Sequence, residues 1–303
     1  MRSILLSLLV AASGLAARLA DSAEPAPIRV VVWDERQPEQ KQAYDTFLGD
    51  EIASRLSGRP GIEVRSVGLD DAEQGLSPEI LDWAEVIVWW SHRRNQDVPQ
   101  DKARQIVERV RSGRTMYVGL HSAHWARPFT DLMDERARAD VRRQFADVLP
   151  SKLVITEVPG LRKVPARDAR LTPAADVVRK PDGTVAVTLH LPGCIFPAFR
   201  NDGKPSTVKV LDPKHPLAAG LPEVFTLPQT EMYDEPYHVP EPDAVVAEET
   251  WEAGERFRSV MVWQVGEGRV VYIRPGHETF PIWKDDHMLR LLENAVRWRR
   301  QEP

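Results

Sequence analysis

The sequence predicts an α/β fold, a doubly wound and mostly parallel sheet, and three observations carry that prediction. Apolar strands and amphipathic helices alternate from residue 28 onward. One strand, Val86-Ile87-Val88-Trp89-Trp90, is apolar on both faces, which suits the middle of a parallel sheet with helices above and below. The chain has 303 residues, 42% of them hydrophobic, enough to bury a large core without disulfide staples.

Taken in order, Ile28-Arg29-Val30-Val31-Val32-Trp33 is a β-branched run and reads as the first strand. Between Gln37 and Leu56, the residues Tyr44, Leu48, Ile52 and Leu56 recur every four positions, so a helix is expected, stopped by Gly58-Arg59-Pro60. Ile62 to Val67 reads as the second strand, Pro78 to Trp83 as a short helix and Val86 to Trp90 as the third strand. A helix from Val98 to Arg111 ends at Gly113, and Thr115 to Leu120 is the fourth strand. Asp131 to Arg143 is charge-dense and helix-forming. Residues 150–207 are rich in proline, with turn signals at Asp182-Gly183 and Asp202-Gly203 and one clear strand from Val185 to Leu189. They read as an insertion on a single domain that covers residues 28–299. The α/β pattern then returns in strands at Ala244 to Ala247, Ser259 to Trp263 and Arg269 to Arg274. Gly266-Glu267-Gly268 joins the last two, which should pair as a hairpin. Met288 to Arg299 is a closing amphipathic helix.

The amino terminus reads as an address. Met1-Arg2-Ser3 precedes the apolar run Ile4 to Ala12, which is too short to span a bilayer, and residues 1–23 are expected to be a secretory signal. A periplasmic or extracellular protein is therefore predicted, without membrane contact once mature. A net charge of −5 provides no nucleic-acid footprint. The one cysteine, Cys194, excludes both an intrachain disulfide and a cysteine-built zinc cage.

Four of the eight histidines follow predicted strands: His92, His121, His124 and His277. Doubly wound sheets bind ligands beyond the carboxyl ends of their strands, so these positions converge on the expected cleft. Imidazole is both a common metal ligand and a base tuned near neutrality. Carboxylates stand close by in sequence: Glu231, Asp234 and Glu235 in one loop, and Glu278 next to His277 in Arg274-Pro275-Gly276-His277-Glu278. Trp89 and Trp90 read as core, whereas Trp125 lies in a polar loop and could stack on a sugar ring.

Several of these segments together resemble the trehalose-utilisation (ThuA-like) family. They are His121-Ser122-Ala123-His124-Trp125, Glu231-Met232-Tyr233-Asp234-Glu235-Pro236, Phe257-Arg258-Ser259, Arg274 to Thr279, and Asn294-Ala295-Val296-Arg297-Trp298. Val31-Val32-Trp33-Asp34-Glu35 and Trp89-Trp90-Ser91-His92 fit as well. The resemblance implies a flavodoxin-like sheet similar to the class I glutamine amidotransferases. It also implies a part in disaccharide use beside dehydrogenases that oxidise a ring carbon to a ketone. Asp234 replaces a glycine of the family pattern, Asn95 or Gln96 replaces a histidine, and residues 150–190 are longer than the pattern. Amidotransferases carry a nucleophilic cysteine on the elbow after a central strand; the turn here is His121-Ser122-Ala123-His124, and Cys194 lies elsewhere.

Two functions follow from this reading. In the first, an exported enzyme acts on a sugar or keto-sugar. A divalent metal such as Zn²⁺ is held by His124, His277 and Glu231, and His121, Glu278 or Glu235 moves the proton. His92, Trp125, Tyr233 and Arg274 contact the substrate, and isomerisation or keto-glycoside cleavage follows. In the second, the protein is a non-catalytic periplasmic sugar-binding protein.

Overall fold

A computed structural model describes residues 26–300. The expected signal at residues 1–23 lies outside them. The first half alternates as read from the sequence: β1 (Ile28–Asp34), α1 (Leu48–Ser57), β2 (Ile62–Gly68), α2 (Pro78–Trp83), β3 (Val86–Trp90), α3 (Gln100–Arg111), β4 (Met116–Leu120) and α4 (Arg127–Gln144). Eight short strands follow: β5 (Leu153–Val158), β6 (Ala174–Arg179), β7 (Val185–His190), β8 (Ala198–Arg200), β9 (Ser206–Val210), β10 (Val224–Leu227), β11 (Met232–Asp234) and β12 (Ala244–Thr250). The chain closes with β13 (Arg256–Val265), β14 (Gly268–Ile273) and α5 (Asp286–Trp298).

Nine strands form the main sheet in the order β10-β9-β12-β13-β14-β4-β3-β1-β2. The five from β14 to β2 are parallel, and their order is that of a flavodoxin-like sheet, as expected. Beyond β14 the sheet turns antiparallel. The pairing of β13 with β14 is the hairpin that the glycine pair at 266 and 268 predicts. Apolar side chains fill both faces of the parallel part. Leu48, Ile52 and Leu56 of α1 meet Leu292 and Val296 of α5 on one face. Ile106 and Val110 of α3 and Phe129 and Leu132 of α4 cover the other. β3 is buried throughout, and Trp89 stacks on Trp33 of β1 with ring centres 3.8 Å apart.

α1 starts later than its periodicity suggests, at Leu48 rather than near Gln37. The reason is tertiary. Gln40 donates to Asp34 Oδ1 at 2.8 Å and accepts the Leu48 amide at 2.9 Å, while Asp34 Oδ2 accepts the Gly49 amide at 2.8 Å. Two side chains from outside the helix thus satisfy its first amides and hold the preceding residues out of it. Close approach requires glycine at 49, because a Cβ there would lie 2.6 Å from Asp34 Cβ. Residues 153–190 form a separate three-stranded sheet, β5-β7-β6, whose Val185, Val187 and Leu189 pack against Ala137, Val141 and Phe145 around α4. β9, which starts at the end of the proline-rich stretch, joins the main sheet.

Candidate functional site

The carboxyl ends of β1, β3, β4 and β14 deliver one cluster. His121 follows β4 directly and holds a left-handed backbone, φ 48°. That conformation costs a non-glycine residue about 1–2 kcal/mol, so its surroundings must hold it. Tyr272 donates its hydroxyl to the His121 carbonyl at 2.7 Å, and Gly276 lies against the side chain, where a Cβ would come within 2.5 Å of His121 Cβ. The ring stacks between Trp90 and Tyr233, centroids 5.4 and 5.0 Å away.

His121 Nδ1 donates to the Arg274 carbonyl at 3.0 Å, and Nε2 stands 2.9 Å from Glu231 Oε2 and 3.2 Å from the Tyr233 hydroxyl. Two lone pairs cannot face each other at 2.9 Å, so the pair shares a proton between Nε2 and Oε2. Burial pushes His121 down, with the Glu231 contact pulling back. For Glu231, burial acts upward, but the His121 hydrogen bond and the nearby imidazoles outweigh it and hold the carboxyl below its usual range.

A second pair has the opposite polarity. His92 Nδ1 lies 2.9 Å from Glu278 Oε2. Burial acts to lower His92, yet the Glu278 bond and the fields of Glu231 and Glu35 raise it overall. Against the upward pull of burial, His92 and His277 bring Glu278 down to about 2. The loop that carries His92 hangs on Glu35, a fully buried carboxylate. Its oxygens accept the amides of His92, Arg93 and Arg94 at 2.8, 2.8 and 3.0 Å.

A cavity of about 660 Å³ opens over these pairs, a size suited to a small ligand. Glu231 and His92 line it, while His121 and Glu278 stand behind them. Ser122, Tyr233, His124, Trp125, Phe196 and Phe199 continue the wall, together with the polar Gln100, Arg127, Asp131 and Arg162. Of the residues read from the sequence as substrate contacts, His92, Trp125 and Tyr233 line this cavity.

Other sequence-derived positions differ. Glu235 is not at the cavity: its Oε1 accepts Arg258 Nε at 2.8 Å and the Arg258 amide at 3.1 Å, so it braces β13 instead. Arg274 is fully buried below the site, paired with Glu249 and bonded to Thr230 Oγ1 and the Glu231 carbonyl. It holds the Glu231 loop and faces no cavity. His124 Nδ1 donates to the Cys194 carbonyl at 2.7 Å, and burial keeps this imidazole neutral. His277, which burial lowers to about 4, engages Thr279 Oγ1 through Nδ1 and the Asn201 amide through Nε2, both at 2.8 Å. Thus His124, His277 and Glu231 each point to a different partner. Among the described residues no three His, Cys, Asp or Glu side chains form a ligand group for an ion.

Ser122 lies within a short 3₁₀ turn, its Oγ 3.3 Å from the Tyr233 hydroxyl, and His121 holds the strained position after β4. Cys194 is buried, and burial pushes its thiol up to about 12, so no thiolate forms at neutral pH. Sequence reasoning missed Asn201, Gln100, Arg127 and Arg162, whose positions carry no local motif. Glu35 was visible in Trp33-Asp34-Glu35, but its role as an anchor was not.

A family profile described as trehalose utilisation (ThuA) matches residues 29–299. Among solved structures, a ThuA-like protein from Parabacteroides merdae is similar at 15% identity, covering 91% of this chain and 93% of that one, with a TM-score of 0.59. A ThuA-like protein from Bacteroides uniformis is similar at 16% identity over 94% and 95%, with a TM-score of 0.53. At such identities the likeness shows the fold. No curated protein matches the chain. The family match runs from the start of β1 to the end of α5 and so takes in every strand that delivers the site: the chain belongs to the trehalose-utilisation (ThuA) family.

Proposed function

We propose that the protein is an exported enzyme of disaccharide utilisation that moves protons on a sugar already oxidised to a ketone, with Glu231 as base and His92 as acid. The observation that carries this reading is the opposed polarity of the two buried pairs. One turns a carboxylate to the cavity with an imidazole behind it; the other turns an imidazole to the cavity with a carboxylate behind it. Neighbouring groups push the base down and the acid up, the pattern of acid and base assignments in one site.

A ketone makes the adjacent C–H acidic. Glu231 takes that proton, the C–H electron pair forms the C=C bond, and the carbonyl pair moves to oxygen, where His92 Nε2–H delivers a proton. The resulting enediol can give up the proton of its other hydroxyl, whose oxygen becomes the new carbonyl while the former carbonyl carbon takes the proton held by Glu231, which is isomerisation. Alternatively it returns its enol proton to His92, re-forms the C=O and expels a β-placed glycosidic oxygen that takes the proton from Glu231, which is elimination. Each proton transfer of this kind contributes about 10²–10⁴ in rate. His121 and Glu278 act as positioning residues through their partners.

The test is incubation of the protein with a keto-disaccharide in D₂O, followed by NMR. Deuterium should enter at the carbon beside the ketone, and Glu231→Gln should slow entry by about 10²-fold or more. Binding without exchange in the wild-type protein would refute the enzyme and leave the second reading, a sugar-binding protein. The aromatic wall of Trp125, Phe196 and Phe199 favours that alternative.

A further inference from the structure

Two guanidinium groups on the outer wall of the cavity have no carboxylate partner. Arg127 donates through Nη1 to Gln100 Oε1 at 2.9 Å and through Nη2 to the Gln96 carbonyl at 3.3 Å, and its Nε is buried without an acceptor. Arg162, between β5 and β6, donates to the Gly193 carbonyl at 3.2 Å. Both line the cavity, and among the described residues neither has a carboxylate oxygen within 4.0 Å. Neighbouring arginines are otherwise engaged. Arg93 at the same rim pairs with Glu39, Arg94 with Asp70 and Asp97, and Arg167 with Asp234.

The acidic groups facing this pair are Asp131 and Asp134 on α4. Asp131 Oδ2 accepts Gln100 Nε2 at 2.6 Å, so Gln100 bridges it to Arg127. Burial raises both carboxyls, Asp134 to about 6, against the downward pull of Arg162, and neither forms an ion pair with Arg127 or Arg162. A guanidinium fork in a partly dry concavity matches a planar or tetrahedral oxyanion better than it matches hydroxyls.

We propose that the outer part of the cavity binds an oxyanion substituent of the sugar, a carboxylate or a phosphate, between Arg127 and Arg162, so that the substrate is an anionic saccharide. This rests on the reading of the cavity as a sugar site, and it is independent of the proton transfers assigned to Glu231 and His92.

Calorimetric titration of the full chain at low salt with glucose, glucuronate and glucose 6-phosphate tests it. One anionic sugar should bind at least roughly tenfold tighter than glucose, and which one does so separates carboxylate from phosphate. In Arg127→Gln and Arg162→Gln, each checked for an unchanged Tm, that ratio should fall towards one. The proposal is overturned if neither anion binds tighter than glucose, if neither binds at concentrations on the order of 50 mM, or if both variants keep the ratio. Deuterium exchange is read separately. Its absence with the anion preference intact would remove the acid/base reading alone, and lost preference with exchange intact would remove this one alone.

Discussion

Replacing Glu278 by Gln should move the proton affinity of His92 downward while leaving the shape of the pair intact. The carboxylate lies 2.9 Å from His92 Nδ1, and both groups are largely withdrawn from solvent. A hydrogen bond to a charged group contributes about 1.5–3 kcal/mol, and each 1.36 kcal/mol moves a pKa by about one pH unit. The neutral amide keeps a weaker bond, so the net displacement is about one to two pH units. The sign follows from the acid role proposed for His92. His92 must be protonated to act, its folded pKa is raised, and activity is lost as pH rises through that pKa. Removing the carboxylate lowers the pKa, so the falling limb of the kcat/KM profile moves to lower pH. The direct assay is an NMR titration of the His92 Cε1–H signal in wild type and variant, with the rate profile on a keto-sugar as the second readout. If the His92 midpoint changes by less than about 0.3 pH unit, the pair does not tune this imidazole and the assignment of His92 as acid fails.

Three further outcomes are expected. Gly276→Ala sets a methyl 2.5 Å from His121 Cβ on a residue already held in left-handed backbone, so stability should drop by about 1–3 kcal/mol in denaturant melts, with activity falling alongside; a neutral substitution would mean the backbones separate freely there. Glu35→Gln weakens three charge-assisted bonds to consecutive amides, and hydrogen exchange at residues 92–94 should accelerate by at least tenfold, for a loss of about 2 kcal/mol. Cys194 should resist iodoacetamide in the folded protein at neutral pH and react only after unfolding, measured by mass spectrometry; rapid modification of the native chain would contradict its burial.

Much of the site was legible because strand ends are legible. Apolar β-branched runs locate β1, β3, β4 and β14, and a doubly wound order sends the residues after them to one edge. Hence His92, His121 and Trp125 could be singled out, with Glu231 entering as a carboxylate of the loop before β11, and the Gly266–Gly268 hairpin anticipated. The division of labour among them was not legible. Glu231 and Glu235 are four residues apart with the same side chain, yet one faces the cavity over His121 and the other is drawn to Arg258 on β13. Arg274 carries the charge expected of a substrate contact, but Glu249 on β12 holds it under the floor.

The chain's own pattern of apolar runs, turns and histidines therefore settled the layered fold, its parallel half and the edge where the histidines gather. These depend on periodicity within a few residues, which hydrophobic burial reads locally. Which imidazole meets which carboxylate, and which end of each pair meets the cavity, depends on contacts between residues far apart in sequence: 110 positions separate His121 from Glu231, and 186 separate His92 from Glu278. Proton affinity is set by burial and by charges within a few ångströms, and neither quantity exists until the strands have been brought together.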